Sequence, residues 1–332
     1  MRRLSDPGAE ANPTDPAAPV PGERVDVHQH LWPEALLAAL AARRSTPRLR
    51  RAGAGWTLCL DGEPDCRIEA VDHDPEARAT LVRADGLDRA LISLSSPMGL
   101  ESLPHREAAP LLEAYHDGVA SLPPVFGCWA AAALDGPDVA ALEERLDAGF
   151  VGLQLPAAAL VDAAGYARCA PLLDALERRS RPLLVHPGPA PWAPNAPSPT
   201  DTPLWWPALT DYVAQMSTAW HAFLQWGRPR HPALRVAFVM LAGLGPLHGE
   251  RLRARGGAHR AIDSGMFLES SSYGTTALDA ALRVVGVDQL LHGSDRPVVD
   301  PPGHPLGTAV AEAMLVRNPA RLLTPVPLEV PA

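Results

Sequence analysis

The 332-residue chain carries a formal net charge of −9, with 47% apolar and 20% charged residues. That balance suits a soluble globular protein with a large core and offers no basic surface for nucleic acid. All 29 basic residues are arginine, so no lysine exists to form a Schiff base, cradle a phosphate or, once carbamylated, bridge two metals.

Residues 1–22 are rich in Pro, Ala and Asp without an apolar signal core and read as a disordered leader. No apolar run approaches the ~20 residues needed to span a bilayer, so no membrane association is expected and the protein is read as cytoplasmic. The four cysteines (Cys59, Cys66, Cys128, Cys169) show neither CxxC spacing nor a disulfide framework. Residues 23–324 are expected to form one domain, and 325–332 a C-terminal tail.

Within that domain strand-like and helix-like segments alternate. Short apolar runs lie at 25–28, 90–94, 125–129, 150–155, 182–186, 234–241, 266–269 and 289–291. Segments with apolar spacing of three and four lie at 33–43, 105–122, 139–148, 169–179, 207–226, 246–255, 275–285 and 306–317. Continuously apolar strands are buried on both faces, as in a parallel sheet covered by helices. Eight such units predict an α/β fold, a (β/α)₈ TIM barrel. An open doubly wound sheet is disfavoured because no GxGxxG follows the first strand. Residues 55–70, with a DGEPD turn, predict a small hairpin inserted after the first helix. Residues 187–207, Pro-rich and carrying Trp192, Trp205 and Trp206, predict a long loop over one barrel end.

In such a barrel reactive groups sit at the C-terminal strand ends. The first strand ends Asp26-Val27-His28-Gln29-His30. Residues two apart in a strand face one way, so both imidazoles can ligate one ion. The fifth strand ends in His186, followed by a Pro-Gly break where a ligand would be presented. The eighth runs into His292-Gly293-Ser294-Asp295-Arg296-Pro297. A carboxylate buried there needs a cation. Arg296 is one such partner, and a metal is a better one.

HxH after strand one, HPG after strand five and GSDxP after strand eight resemble the amidohydrolase superfamily. The nearest branch is the amidohydrolase-2 group, which includes aminocarboxymuconate semialdehyde decarboxylase. Residues 149–156 (GFVGLQLP), the SSYG at 271–274 and Arg317-Asn318-Pro319-Ala320-Arg321-Leu322 extend the likeness over Val25 to Leu322. The resemblance implies a mononuclear site with His28, His30, His186 and Asp295 as ligands and Asp295 also as catalytic base. It implies one divalent ion, Zn²⁺ first, with Mn²⁺, Fe²⁺ or Co²⁺ as substitutes. Where binuclear relatives carry a bridging lysine, this chain has Gln154, counted with Trp205, Trp206 and Arg296 as substrate-facing.

One departure is serious. Relatives carry a histidine at the end of strand six, usually as HxG, and Leu241 stands in its place. His248, two residues after Pro246 and so in the first turn of an expected helix, is the substitute acid–base candidate. His292 is read as a core residue and His221 as structural. His73, His105, His231, His259 and His304 are read as solvated. The expected function is a metal-dependent hydrolase attacking a C–N or C–O bond of a small carboxylated or cyclic substrate. The alternatives are a non-oxidative decarboxylase on the same site and a catalytically silent ligand-binding barrel. The partner is a small molecule, and the sequence neither requires nor excludes a homodimer.

Overall fold

A computed structural model describes residues 17–324 apart from 54, 62, 194–201, 259–261 and 302–305. Eight barrel strands follow in chain order: β1 (Val25–His30), β2 (Arg89–Ser93), β3 (Phe126–Cys128), β4 (Leu153–Pro156), β5 (Leu183–His186), β6 (Val236–Phe238), β7 (Met266–Glu269) and β8 (Leu290–Leu291). All pair in parallel, β1 through β3 in one sheet and β4 through β8 in another. Backbone bonds close both seams. Val151 N–H donates to the Cys128 carbonyl and Gln154 N–H to that of Ala130, joining β3 to β4. Val27 N–H donates to His292 O at 3.0 Å and Asp295 N–H to His28 O at 3.0 Å, joining β8 to β1. The result is a closed barrel, and every residue of its strands is buried, as the apolar runs require.

The crossover from β1 to β2 differs from expectation. Helix Glu34–Ala42, which covers the run at 33–43, does not return the chain to β2; helix Pro75–Ala84 does. Its N-terminal signal is local: Asp74 accepts from Ala77 N–H at 2.8 Å, with Pro75 in the first turn. Residues 31–74 are therefore one insertion rooted at the end of β1. Its two ends meet where Trp32 N–H donates to His73 Nδ1 at 3.0 Å and the two rings stack at 4.7 Å. The inserted hairpin is a three-stranded antiparallel sheet, Arg48–Ala52, Gly55–Cys59 and Cys66–Ile68. The first of these strands, RLRRA, lacks an apolar alternation to announce it.

Three further expectations change. The apolar run 234–241 yields a strand only over Val236–Phe238. Met240 to Leu244 then adopt φ of 48–60°, a left-handed turn built from four non-glycine residues and Gly243. Such residues cost about 1–2 kcal/mol each. His73 and His231, read as solvated, are buried at 7% and 0% exposure. His73 is held by the Trp32 contact, and His231 lies 3.4 Å from Asp174. His259 and His304 lie outside the described residues, as do most of the expected leader and the whole tail. Of the leader, 17–22 is described, and buried Ala17 accepts from Arg89 at the barrel's N-terminal end.

Candidate metal centre

His28 and His30 leave β1 on one side of the strand, and their Nε2 atoms face each other at 3.2 Å. His186, at the end of β5, completes a triangle with ring centroids 5.0 and 5.1 Å from those of His28 and His30. Asp295 Oδ1 lies 3.1 Å from His30 Nε2 and 3.7 Å from His28 Nε2. One ligating atom from each of the four residues lies within 4.8 Å of the others. Asp295 reaches this point through a left-handed backbone, φ 59°, a conformation Asp tolerates better than most residues. The pairing of β8 with β1 runs past it, with His30 N–H donating to Arg296 O at 2.7 Å.

The outer partners settle which way the imidazoles point. His30 Nδ1 lies 3.0 Å from the Ser93 carbonyl, and His186 Nδ1 lies 2.9 Å from that of Pro187. A carbonyl only accepts, so each Nδ1 carries its proton and each Nε2 presents a lone pair. His28 Nδ1 lies 3.3 Å from Glu269 Oε2, an ion-pair contact at the long end for a hydrogen bond. Lone pairs of His30 and His186, the His28 Nε2 and the Asp295 carboxylate converge on one point. That is a donor set for a divalent cation.

The electrostatics differ from ring to ring. Burial holds His186 well below the usual imidazole range, and the neighbouring His28 and His30 rings push the same way. Burial alone would raise the Asp295 carboxyl, but the close His30 ring and the nearby His28 and His186 rings bring it below its ordinary value. Burial would lower His28, yet Glu269, with Asp295 and Asp26 behind it, raises it.

Glu269 was not singled out from the sequence, although it closes the seventh apolar run. It is fully buried and accepts from Ser271 Oγ at 2.7 Å and from Met240 N–H at 3.3 Å. Arg78 is the second residue missed. Its guanidinium donates to His30 O at 2.8 Å, Gln29 Oε1 at 2.5 Å and Arg296 O at 3.3 Å, tying the β1 end to the β8 loop. Asp26 completes the frame, accepting from His28 N–H at 3.0 Å and Ser294 N–H at 3.2 Å.

Other expected site residues lie differently. Arg296 does not face Asp295: its guanidinium pairs with Asp85 at 3.2 Å and Asp300 at 2.9 Å, because its carbonyl is pinned to β1. Gln154 is fully buried, and its amide N–H₂ is committed to the Leu94 carbonyl and Ser96 Oγ, both at 2.6 Å. His248 closes a short 3-10 stretch over 245–248 that runs into helix Gly249–Ala254, near the helix start expected at Pro246. His248 is exposed and neighbours His221 on the outer layer. Trp205 and Trp206 form a pair 5.7 Å apart that is 55% and 38% exposed. Trp192 is partly buried under Arg168. The middle of the 187–207 loop lies outside the described residues.

No family model matches the chain, and no curated protein matches it. Solved structures do. The chain resembles IDCase from Metarhizium anisopliae with a TM-score of 0.70 and 19% identity, over 91% of this chain and 97% of that one. It resembles an amidohydrolase II with a TM-score of 0.67 and 18% identity, over 90% and 99%. A 5-carboxyvanillate decarboxylase from Novosphingobium aromaticivorans, in complex with manganese and 4-hydroxy-3-methoxy-5-nitrobenzoic acid, matches with a TM-score of 0.59 and 16% identity, over 91% and 93%. The fold is thus that of the amidohydrolase barrels. No helix among the described residues is long and apolar enough to cross a membrane.

Proposed function

We propose that this chain is a metal-dependent enzyme of the amidohydrolase superfamily that hydrolyses a C–N or C–O bond in a small cyclic or carboxylated substrate. The observation that carries the reading is the convergence of the three imidazoles and the Asp295 carboxylate on one point. His28, His30, His186 and Asp295 would hold the ion, which when bound supplies Lewis acidity and lowers the pKa of a bound water.

The chain's own residues supply the rest. Asp295 is held ionised by the imidazoles around it, the state of a base that takes a proton from the attacking water and returns it to the leaving group. Glu269 and the Ser93 and Pro187 carbonyls keep the three rings in one tautomer through the cycle. Buried strands beneath the cluster keep bulk water out from below.

A second reading, non-oxidative decarboxylation on the same site, draws its support from the likeness to a 5-carboxyvanillate decarboxylase. In that case Asp295 would begin protonated and deliver its proton to the carbon that loses carbon dioxide. Incubation of Zn²⁺- and Mn²⁺-loaded protein in H₂¹⁸O with aromatic acids, lactones and amides separates the two. Hydrolysis incorporates one labelled oxygen in the product. Decarboxylation of 5-carboxyvanillate releases carbon dioxide and incorporates none. A metal-loaded protein that does neither across both panels removes the enzymatic reading.

A further inference from the structure

In an eight-strand barrel the first and fifth strands stand on opposite sides of the mouth. The insertion 31–74 is rooted at the end of β1, where Trp32 and His73 meet. Helix Asp211–Ala222 follows β5 and is tied to it, because Gln215 Oε1 accepts from Gly188 N–H at 2.9 Å, two residues beyond His186. A side-chain bond joins these two opposed elements. Tyr212 Oη donates to Glu63 Oε1 at 2.6 Å, with Glu63 in the turn between the second and third strands of the inserted sheet. A bond between elements rooted on opposite sides of the ring has to run over the mouth, above ligands from β1, β5 and β8.

The same helix covers the place where strand six presents Leu241. A Cβ on Gly243 would strike the Val213 carbonyl, and Gly245 packs against Trp220. The left-handed turn after β6 is therefore seated against the first turns of the helix that carries Tyr212. Tyr212 precedes Gln215 by three positions and shares its face of the helix.

We propose that the Tyr212 hydroxyl, positioned by Glu63, is the hydrogen-bond donor that receives an anionic oxygen of the substrate at the mouth, where strand six supplies no polar side chain. The proposal rests on the metal-dependent reading of the cluster. Its chemistry is a hydrogen bond only, and no proton leaves the pair. Burial acts on both members of the pair. Burial raises the Glu63 carboxyl against the opposing bond from Tyr212, with Asp211 adding to the rise, and burial raises the Tyr212 phenol, with Glu63, Asp211 and Asp295 adding to it. The Tyr212 proton that now points at Glu63 can turn to an arriving anionic oxygen, and Glu63 keeps the phenol in place as it does so. The ligand class this fits is a cyclic acid with a phenolate or carboxylate oxygen turned away from the metal.

The test uses full-length protein loaded with Mn²⁺, and 4-hydroxy-3-methoxy-5-nitrobenzoic acid as a coloured probe titrated by absorbance. Tyr212→Phe is expected to weaken the probe about 10- to 100-fold, the range for a hydrogen bond to a charged group, with Mn²⁺ affinity within about twofold of wild type. Glu63→Gln, a neutral isostere that still bonds the phenol, is expected to keep probe affinity near wild type. Glu63→Ala should lose most of what Tyr212→Phe loses, and Tyr212→Phe/Glu63→Ala should be no worse than Tyr212→Phe alone. Unchanged probe affinity in Tyr212→Phe overturns the proposal. So does loss of Mn²⁺ by that variant, which would place the residue's effect on the cluster, and so does a manganese-loaded wild type that does not bind the probe. Failure of the turnover assays in H₂¹⁸O leaves these affinities measurable, so the two readings fail separately.

Discussion

His28 and His30 bring their Nε2 atoms to 3.2 Å of each other, with Asp295 Oδ1 3.1 Å from the His30 nitrogen. When neither nitrogen carries a proton, two lone pairs at that distance repel unless a cation draws both. The surroundings enforce the arrangement: the Ser93 carbonyl fixes one ring, Glu269 leans on the other, and β1 has only one residue between them. Four side chains that could hold a divalent ion are thereby kept within reach of one another.

Metal content should follow from this. Protein purified without chelator is expected to carry about one divalent ion per chain, and His28→Ala or Asp295→Ala to carry little. An ion at 100 times its Kd adds about 2.7 kcal/mol to stability, so chelation should lower the melting temperature of wild type but not of either variant. Elemental analysis and thermal melts check both. Full metal content in His28→Ala would sink the ligand assignment.

Glu269 should act on affinity more than on the reaction. Glu269→Gln removes the charge behind His28 while keeping a side chain that can accept from Ser271. Outer-shell partners of this kind are worth about 10- to 100-fold in metal affinity, and that loss is expected in a competition titration with a chromophoric chelator. Asp295→Asn, in contrast, should lower turnover by about 10²–10⁴ in enzyme reloaded with excess metal. Equal effects of the two changes on both measurements would show that the roles are not divided in this way.

Much of the centre was legible before any coordinates. The four converging residues are polar groups at the ends of apolar runs, and a polar group where a buried strand stops needs a reason to be there. Glu269 has the same signal, at the end of the seventh run, but no short motif surrounds it, so it read as the last residue of a strand. Arg78 is not legible, because the face that helix Pro75–Ala84 buries consists of Arg78, Ala79 and Val82, with an arginine where an apolar residue marks a core position. Arg296 misled for a different reason. Adjacent in sequence to Asp295, it is turned away because its carbonyl is claimed by His30 N–H. His248 lies near the helix start that Pro246 signals, but its side chain is exposed, an orientation that no local pattern reveals.

Acid should destabilise the fold through two buried imidazoles. His73 accepts from Trp32 N–H and His116 from Ala131 N–H, both at 3.0 Å, and burial first, with nearby arginines, pushes each down to about 3. Their folded values lie below the unfolded value of about 6.5, so the unfolded chain binds the extra protons. Their contribution is complete above pH ~6.5 and is lost as pH falls toward ~3, with a slope of up to about 1.4 kcal/mol per pH unit for each ring. Urea unfolding of metal-free protein across that window should show the decline, and His116→Gln should make it shallower. A slope unchanged by that substitution would rule out His116 as a source.

Arg78 provides the last prediction, because it joins two ligand-bearing segments without touching a ligand side chain. Its Nη1 donates to the His30 and Asp72 carbonyls at 2.8 and 2.9 Å, and its Nη2 to Gln29 Oε1 and the Arg296 carbonyl. Burial lowers it to about 10, with Asp26 and Asp72 opposing the shift, so it stays charged at neutral pH. The planar fork meets four acceptors from three segments, and an ammonium cannot reproduce that geometry. Arg78→Lys should therefore fold but hold the metal about tenfold less tightly, by analogy with other outer partners of metal ligands. Arg78→Met leaves several buried acceptors unpaired at about 1–3 kcal/mol each and should lower the melting temperature further. Metal affinity measured well below each variant's melting transition separates the two effects. If Arg78→Lys matches wild type in affinity, the positions of His30 and Asp295 do not depend on this bridge, and the β1–β8 backbone pairing alone sets them.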